Sequence, residues 1–223
     1  MGDDTLVIAP TGTGKTYIAV EAIKETLAAG KRAIYTAPLK ALSNTKYVEF
    51  KHLLEPQYRV GLLTGDRKID TDGELVIATT EIYRNELYSA RESYALVVLD
   101  ELHYLADPQR GPVWEESIIL SPRSSVLLML SASISNPQEI ANWIEEVRGR
   151  AVRVVLEYRR PVELRLGFLH PELGVLPLAD DDGKVFPDVG RFYAEGGHPG
   201  RSMAGRRRWG SGGRRRGSRD RGN

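Results

Sequence analysis

Eight consecutive residues, Ala9, Pro10, Thr11, Gly12, Thr13, Gly14, Lys15 and Thr16, bring two glycines, a lysine and three hydroxyls into one short segment. That combination suits anion binding. Glycines let backbone N–H groups approach phosphate oxygens, a lysine adds a point charge, and a threonine hydroxyl can reach magnesium. The segment lies between an apolar run, Leu6-Val7-Ile8-Ala9, and a helix-like run that starts near Lys15. A helix starting there would turn its positive end toward a bound anion. A second cluster, Asp100-Glu101-Leu102-His103, closes another apolar run, Leu96-Val97-Val98-Leu99. A carboxylate pair at the end of a buried strand can reach a metal held beside phosphates. Asp100 is placed to hold magnesium through water, and Glu101 to orient an attacking water or accept its proton. The two clusters together predict a nucleoside triphosphate and Mg²⁺ site. Residues Ala9 to Thr16 bind the nucleotide, Thr16 and Asp100 the metal, and Lys15, Asp100 and Glu101 serve catalysis. The plainer alternatives are a Gly/Thr-rich turn capping an ordinary helix and a solvated acidic strand end. His103 has no role that its chemistry alone assigns.

The surrounding pattern is what such a site requires. Strand-length apolar runs at 5–9, 32–37, 59–63, 75–78, 96–99, 125–130 and 152–156 alternate with helical spacing at 15–29, 41–54, 81–89, 114–120 and 137–146. Runs that are apolar throughout predict strands buried on both faces, and the alternation predicts a parallel sheet covered by helices on both sides. Ligands of such α/β sheets sit at the carboxyl ends of the strands, where both clusters begin. Gly30 suits a helix C-terminus, and Asn136-Pro137 with Glu139 suits a capped helix start. Three further strand ends carry Lys40, then Thr64 with Gly65, then Thr80. With backbone amides at helix starts they could grip successive phosphates of a single strand, although turns and helix caps explain the same residues.

Composition narrows the class. The 223 residues are 41% hydrophobic, enough for one domain with a core and an appendage. The absence of cysteine excludes a disulfide framework and a cysteine metal site. No apolar run approaches a membrane span, and the opening Met-Gly-Asp-Asp has no signal-peptide character, so a cytoplasmic location is expected. The net charge of +1 conceals a split. From His198 to Asn223 nine arginines face one aspartate, a balance of +8, while the preceding 197 residues hold 22 basic and 29 acidic side chains, a balance of −7.

These motifs resemble the first RecA-like domain of the superfamily 2 DExH helicases, in the superkiller and exosome-cofactor branch of RNA helicases. APTGTGKT resembles motif I, PLKALSNTKY motif Ia, GLLTGD motif Ib and ATTEIYRNELY the segment after it. LDELHYLADPQRGPVWEESIILSP resembles motif II with its long continuation, and LSASISNPQEIANWI motif III with the helix behind it. The likeness runs from about Thr5 to Leu169. It implies an α/β RecA-like fold, ATP with Mg²⁺, 3′-to-5′ movement on single-stranded RNA (a DNA-translocating relative is also possible), and coupling of hydrolysis to movement by His103, Ser131 and Ser133. The chain departs from the pattern in several places. Ala9 stands where motif I usually begins with glycine, and Ser133 where motif III has threonine. Only eight residues precede motif I. No second RecA-like domain, helical bundle or accessory domain follows, so an incomplete chain, weak or inactive without a second RecA-like domain or protein partner, is expected.

The domain reading is therefore 1–169 for the RecA-like domain, 170–195 for an irregular extension and 196–223 for a disordered Arg/Gly-rich tail. Within the extension, 162–169 could form one more strand and 171–189 reads as loop. The tail has two readings: an arm that binds RNA through phosphate neutralisation and arginine stacking, or GC-rich coding DNA read out of frame. Two rival functions remain open. One is a non-catalytic RNA-binding module working through the tail. The other is a different P-loop ATPase that depends on a partner's arginine.

Overall fold

The computed structural model describes residues 2–89, 94–160, 166–170, 174–179 and 183–194. The chain divides into two compact units between Val162 and Glu163. In the first unit the strands are β1 (Asp4–Ile8), β2 (Ala33–Ala37), β3 (Val60–Leu63), β4 (Lys68–Ile69), β5 (Leu75–Thr79), β6 (Leu96–Leu99), β7 (Val126–Ser131) and β8 (Val152–Leu156). The helices are α1 (Lys15–Ala28), α2 (Lys40–Leu54), α3 (Thr80–Ser89), α4 (Gly111–Leu120) and α5 (Pro137–Arg148). A 3₁₀ turn spans Leu102–Ala106.

The eight strands form one sheet in the order β4-β3-β5-β2-β6-β7-β1-β8. All neighbours are parallel except β3 and β4, which pair antiparallel. Every residue of β2, β5 and β6 is buried, which is why these strands read as continuous apolar runs. Side chains alternate between faces, as the pleat demands. Leu6, Ile8, Ile34, Val97 and Leu99 pack on one side with Trp114, Ile118, Ala141 and Ile144. Val7, Tyr35, Ile77 and Val98 pack on the other with Ala19, Ile23, Leu27 and Phe50. Thus α1 and α2 cover one face, and α4 and α5 the other.

Local signals explain where the helices stop. Helix α1 ends in a left-handed Gly30, φ 68°. There the N–H of Gly30 bonds to the Leu27 carbonyl and that of Lys31 to the Thr26 carbonyl, which satisfies two otherwise unpaired carbonyls. The expected cap of α5 differs in detail. Asn136 is its N-cap and Pro137 its first residue, but the Asn136 amide donates to Glu139 Oε2 at 2.5 Å and no side-chain cap to the backbone forms. Two charged or short side chains of one turn have bonded to each other instead of to the helix end. At Gly111 a Cβ would lie 2.5 Å from the Leu105 carbonyl oxygen. Only glycine lets the 3₁₀ turn run so closely into α4.

In the second unit β9 (Gly167–His170) and β10 (Gly174–Pro177) form an antiparallel hairpin, and α6 (Pro187–Ala194) follows. The rings of Phe168 and Phe192 lie 5.4 Å apart. The segment 171–189 expected as loop thus contains β10 and the start of α6. Four-residue strands with mostly exposed side chains leave no periodicity to read. The predicted tail, residues 196–223, lies outside the described residues.

One buried ion pair ties the amino-terminal edge of the sheet together. Arg148 Nε donates to Asp4 Oδ2 at 2.6 Å, and both side chains are sealed from solvent. The backbone N–H of Leu127 donates to Asp4 Oδ1 at 2.8 Å. The same guanidinium donates to the carbonyls of Ser121 at 3.0 Å and Ser125 at 2.9 Å. β1, β7 and the ends of α4 and α5 therefore meet on one charge pair. Removing one partner strands the other charge in the interior, at a cost of about 3–5 kcal/mol. Asp4→Ala is expected to lower the unfolding free energy by that amount, read from urea denaturation.

Candidate active site

All the sequence-predicted site residues follow strands that end on one edge of the sheet, and strand order sorts them into two groups. Ala9 to Thr16 follow β1, Asp100 to His103 follow β6, and Ser131 with Ser133 end β7; these three strands are consecutive in the sheet. Lys40 follows β2, Thr64 and Gly65 follow β3, and Thr80 follows β5; these three are also consecutive. β2 and β6 adjoin, so the groups meet there.

The loop after β1 has the conformation its glycines predict. Gly12 and Gly14 have φ of 86° and 95°, backbone that side chains rarely adopt. No atom would crowd an added Cβ at either, so glycine is needed for the turn and not for space. Thr13 Oγ1 donates to the Pro10 carbonyl at 2.7 Å. Lys15 Nζ donates to the carbonyls of Ala9 at 2.7 Å and Pro10 at 3.2 Å, which folds the ammonium back into the loop. The Ala9 N–H bonds to the Ser131 carbonyl at 3.0 Å, locking the loop's start to the end of β7. Thr16 Oγ1 accepts from Lys46 Nζ of α2 at 3.1 Å, and Lys46 also pairs with Glu49 at 2.9 Å.

After β6, Asp100 is held on both oxygens. Oδ1 accepts the Glu101 N–H at 2.9 Å, and Oδ2 accepts the Tyr35 hydroxyl of β2 at 2.5 Å. Burial, and then the charge of Asp100, raise the Tyr35 hydroxyl pKa well above the ordinary phenol value, so it remains a donor. Glu101 adopts a left-handed conformation, φ 55° and ψ 47°. Such a conformation costs a non-glycine residue about 1–3 kcal/mol and collects at functional sites. Its Oε2 lies 3.1 Å from His103 Nδ1, but the two are not aligned as a hydrogen bond, and both atoms are buried without a hydrogen-bond partner. His103 stacks on Tyr104 (4.9 Å), Tyr104 on Trp114 (5.4 Å), and the Arg110 guanidinium lies over Tyr104 (5.0 Å). This stack fixes the 3₁₀ turn on α4. Ser131 is fully buried, and its hydroxyl donates to the carbonyl of exposed Ser133 at 3.2 Å.

The donor set suits magnesium. A threonine hydroxyl and a carboxylate are hard oxygen ligands. No group of three or more His, Cys, Asp or Glu that could hold a metal occurs among the described residues.

Lys40 is exposed and pairs with Asp66 at 3.2 Å. It passes over Gly65, where an added Cβ would meet its Nζ at 3.7 Å. The Lys40 ammonium, and after it the Thr64 hydroxyl, hold the Asp66 carboxyl below its usual range. Thr64 is 2% exposed and donates to Asp66 Oδ1, while Thr80 is 0% exposed. Both threonine side chains are therefore shielded from solvent. Tyr35, Lys46 and Arg67, whose guanidinium donates to Asn44 Oδ1 at 3.0 Å, escaped the sequence reading. A tyrosine inside a strand-length, mostly apolar run was the one available signal, because a buried hydroxyl needs a partner.

The profile of the DEAD/DEAH box helicases matches residues 1–140. The chain belongs to the DEAD/DEAH box helicase family. This helicase domain is 46% identical over 191 residues to the chloroplastic DExH-box ATP-dependent RNA helicase DExH15 of Arabidopsis thaliana, covering 82% of this chain and 16% of that protein. It is 46% identical over 171 residues to the probable helicase HelY of Mycobacterium leprae, covering 73% and 18%. Against the ATP-dependent RNA helicase mtr4 of Schizosaccharomyces pombe the identity is 43% over 166 residues, covering 73% and 15%. The chain thus spans less than a fifth of the length of these relatives. Among solved structures, the helicase MrfA bound to DNA superposes with a TM-score of 0.58 at 22% identity, covering 70% of this chain and 25% of that one. The helicase domain of Pyrococcus furiosus Hef gives 0.53 at 23% identity, covering 70% and 35%. Both support the mostly parallel, RecA-like fold. No helix among the described residues is long and apolar enough to cross a membrane.

Proposed function

We propose that this chain is the ATP-binding, RecA-like part of an ATP-dependent DExH-box RNA helicase of the superkiller and exosome-cofactor type. The observation that carries the reading is the sorting of residues along one sheet edge. The residues proposed for phosphate and metal follow β1 and β6, with Ser131 and Ser133 at the end of the intervening β7; those proposed for the strand follow β2, β5 and β3; and the two sets adjoin at β2 and β6. RNA as the substrate rests on the motif wording and on the printed names of the curated relatives, two of which are RNA helicases. The cytoplasmic reading rests on the sequence alone. The domain is proposed to occupy 1–169, with 170–195 as an extension and 196–223 as a basic tail.

Each residue's part follows from its position. Backbone N–H groups of residues 11–16, at the start of α1, bind the phosphates of ATP. Lys15 exchanges the carbonyls of Ala9 and Pro10 for phosphate oxygens, whose charge competes well for an ammonium held only by neutral acceptors. Thr16 and Asp100 hold Mg²⁺, which when bound neutralises charge on the transferred phosphoryl group. Glu101, fixed by its left-handed backbone, orients the attacking water and takes its proton. His103, Ser131 and Ser133 border the nucleotide group and are proposed to pass its state to the strand-binding group. Lys40 and the backbone near Gly65 and Thr80 grip single-stranded RNA. Full turnover is proposed to require a second RecA-like domain or a partner supplying arginine, worth about 10³–10⁵ in rate.

Three outcomes test this reading. Lys15→Ala is expected to weaken Mg²⁺-nucleotide binding about 10–100-fold in a fluorescent-nucleotide titration, since it removes one charged donor. Glu101→Gln is expected to leave that affinity within about twofold while slowing single-turnover hydrolysis by about 100-fold or more. Hydrolysis at the parent rate would remove Glu101 from its role. Asp66→Asn releases Lys40 from an exposed pair. It is expected to tighten single-stranded RNA binding about two- to fivefold at low salt, with the gain fading as salt rises.

A further inference from the structure

The strand-length run at β2 reads Ala-Ile-Tyr-Thr-Ala, and every residue of it is buried. Tyr35 is 0% exposed, packed against Phe50 at a ring separation of 5.2 Å. Its hydroxyl reaches across to the neighbouring strand and donates to Asp100 Oδ2 at 2.5 Å, as the N–H of Glu101 donates to Oδ1. A carboxylate on a single Cβ could otherwise swing about its own χ angles. Two donors, one on each oxygen, set both its position and the plane of its oxygens. The backbone bond alone leaves one oxygen loose.

We infer that Tyr35 is a positioning residue for the metal site: its buried hydroxyl presents the Asp100 carboxylate to Mg²⁺ from the strand that also leads into Lys40. The inference rests on the reading of Asp100 as the metal-side carboxylate. Outer partners of this kind govern metal affinity because an oriented ligand does not have to be ordered when the ion arrives. Tyr35 is buried and its hydroxyl is spent on Asp100, so nucleotide binding without metal is expected to be independent of it. The placement also explains why a polar atom is tolerated in the middle of an apolar strand: the tyrosine ring fills the core beside Phe50 while its hydroxyl emerges at the polar edge.

The test is a Mg²⁺ titration of the full chain with the fluorescent nucleotide mant-ADP, for the parent, Tyr35→Phe, Asp100→Asn and the double variant, each also measured in EDTA. Tyr35→Phe keeps the ring and deletes the hydroxyl. Its Mg²⁺ midpoint is expected to rise about tenfold, with affinity in EDTA unchanged. In the Asp100→Asn background the same change is expected to add nothing further, because it acts through that carboxylate. Phe50→Leu loosens the same packing without touching Asp100. It is expected to lower the melting temperature and leave the midpoint at the parent value. A midpoint unmoved in Tyr35→Phe, equally moved in Phe50→Leu, or additive with Asp100→Asn overturns the inference. A parent chain that binds mant-ADP with no dependence on Mg²⁺ overturns the metal-site reading itself, and this inference with it.

Discussion

A parallel sheet with both faces buried leaves polar chemistry only at its strand ends, and this constraint governs the whole domain. β2, β5 and β6 are buried from end to end, so no side chain along their lengths can meet a charged ligand without a large desolvation cost. Backbone N–H groups and helix starts gather instead where the strands stop. Apart from Tyr35, which reaches Asp100 from within β2, and Ser131, the last residue of β7, the candidate functional groups of the first unit lie beyond that line. The glycine-rich loop, the acidic pair, the two serines and the basic start of α2 are all consequences of one architectural rule.

The opposite edge carries a different duty. Asp4 and Arg148 form a sealed pair with bonds to the backbone of β7 and to the ends of α4 and α5. A buried ion pair contributes little net stability compared with apolar packing, but its geometric demands are strict. Placed at the head of β1, it holds the strand that delivers the phosphate loop. Stability devices and reactive groups are thus separated by the length of the strands.

Between the two groups on the working edge lies a short polar seam. Tyr35 of β2 meets Asp100 after β6, and Lys46 of α2 meets Thr16 at the start of α1. Helix α2 begins at Lys40, whose ammonium pairs with Asp66 in the turn after β3. The same strand and helix therefore touch both halves of the edge. The strained Glu101 and the stack of His103, Tyr104 and Trp114 continue the seam toward α4.

Much of this was legible in the chain itself. Strand runs and helices appear where apolar periodicity placed them, because burial on both faces and amphipathic spacing are local properties of sequence. The loop glycines at 12 and 14 and the C-terminal Gly30 were legible for the same reason: positive φ is a demand on one residue. β9 overlaps the possible strand at 162–169, but β4, β10 and the helix α6 were not read, since short elements carry too few apolar positions to show a period. What the sequence could not determine was the order of strands. Along the chain, residues 40, 64–65 and 80 separate 9–16 from 100–103 and 131–133, and only the sheet order gathers them into two adjoining groups. Burial of the Thr64 and Thr80 hydroxyls and the reach of Tyr35 to Asp100 also belonged to the tertiary structure. Pairing between strands is a contact between residues distant in sequence, and no local pattern encodes which neighbour a buried strand will find.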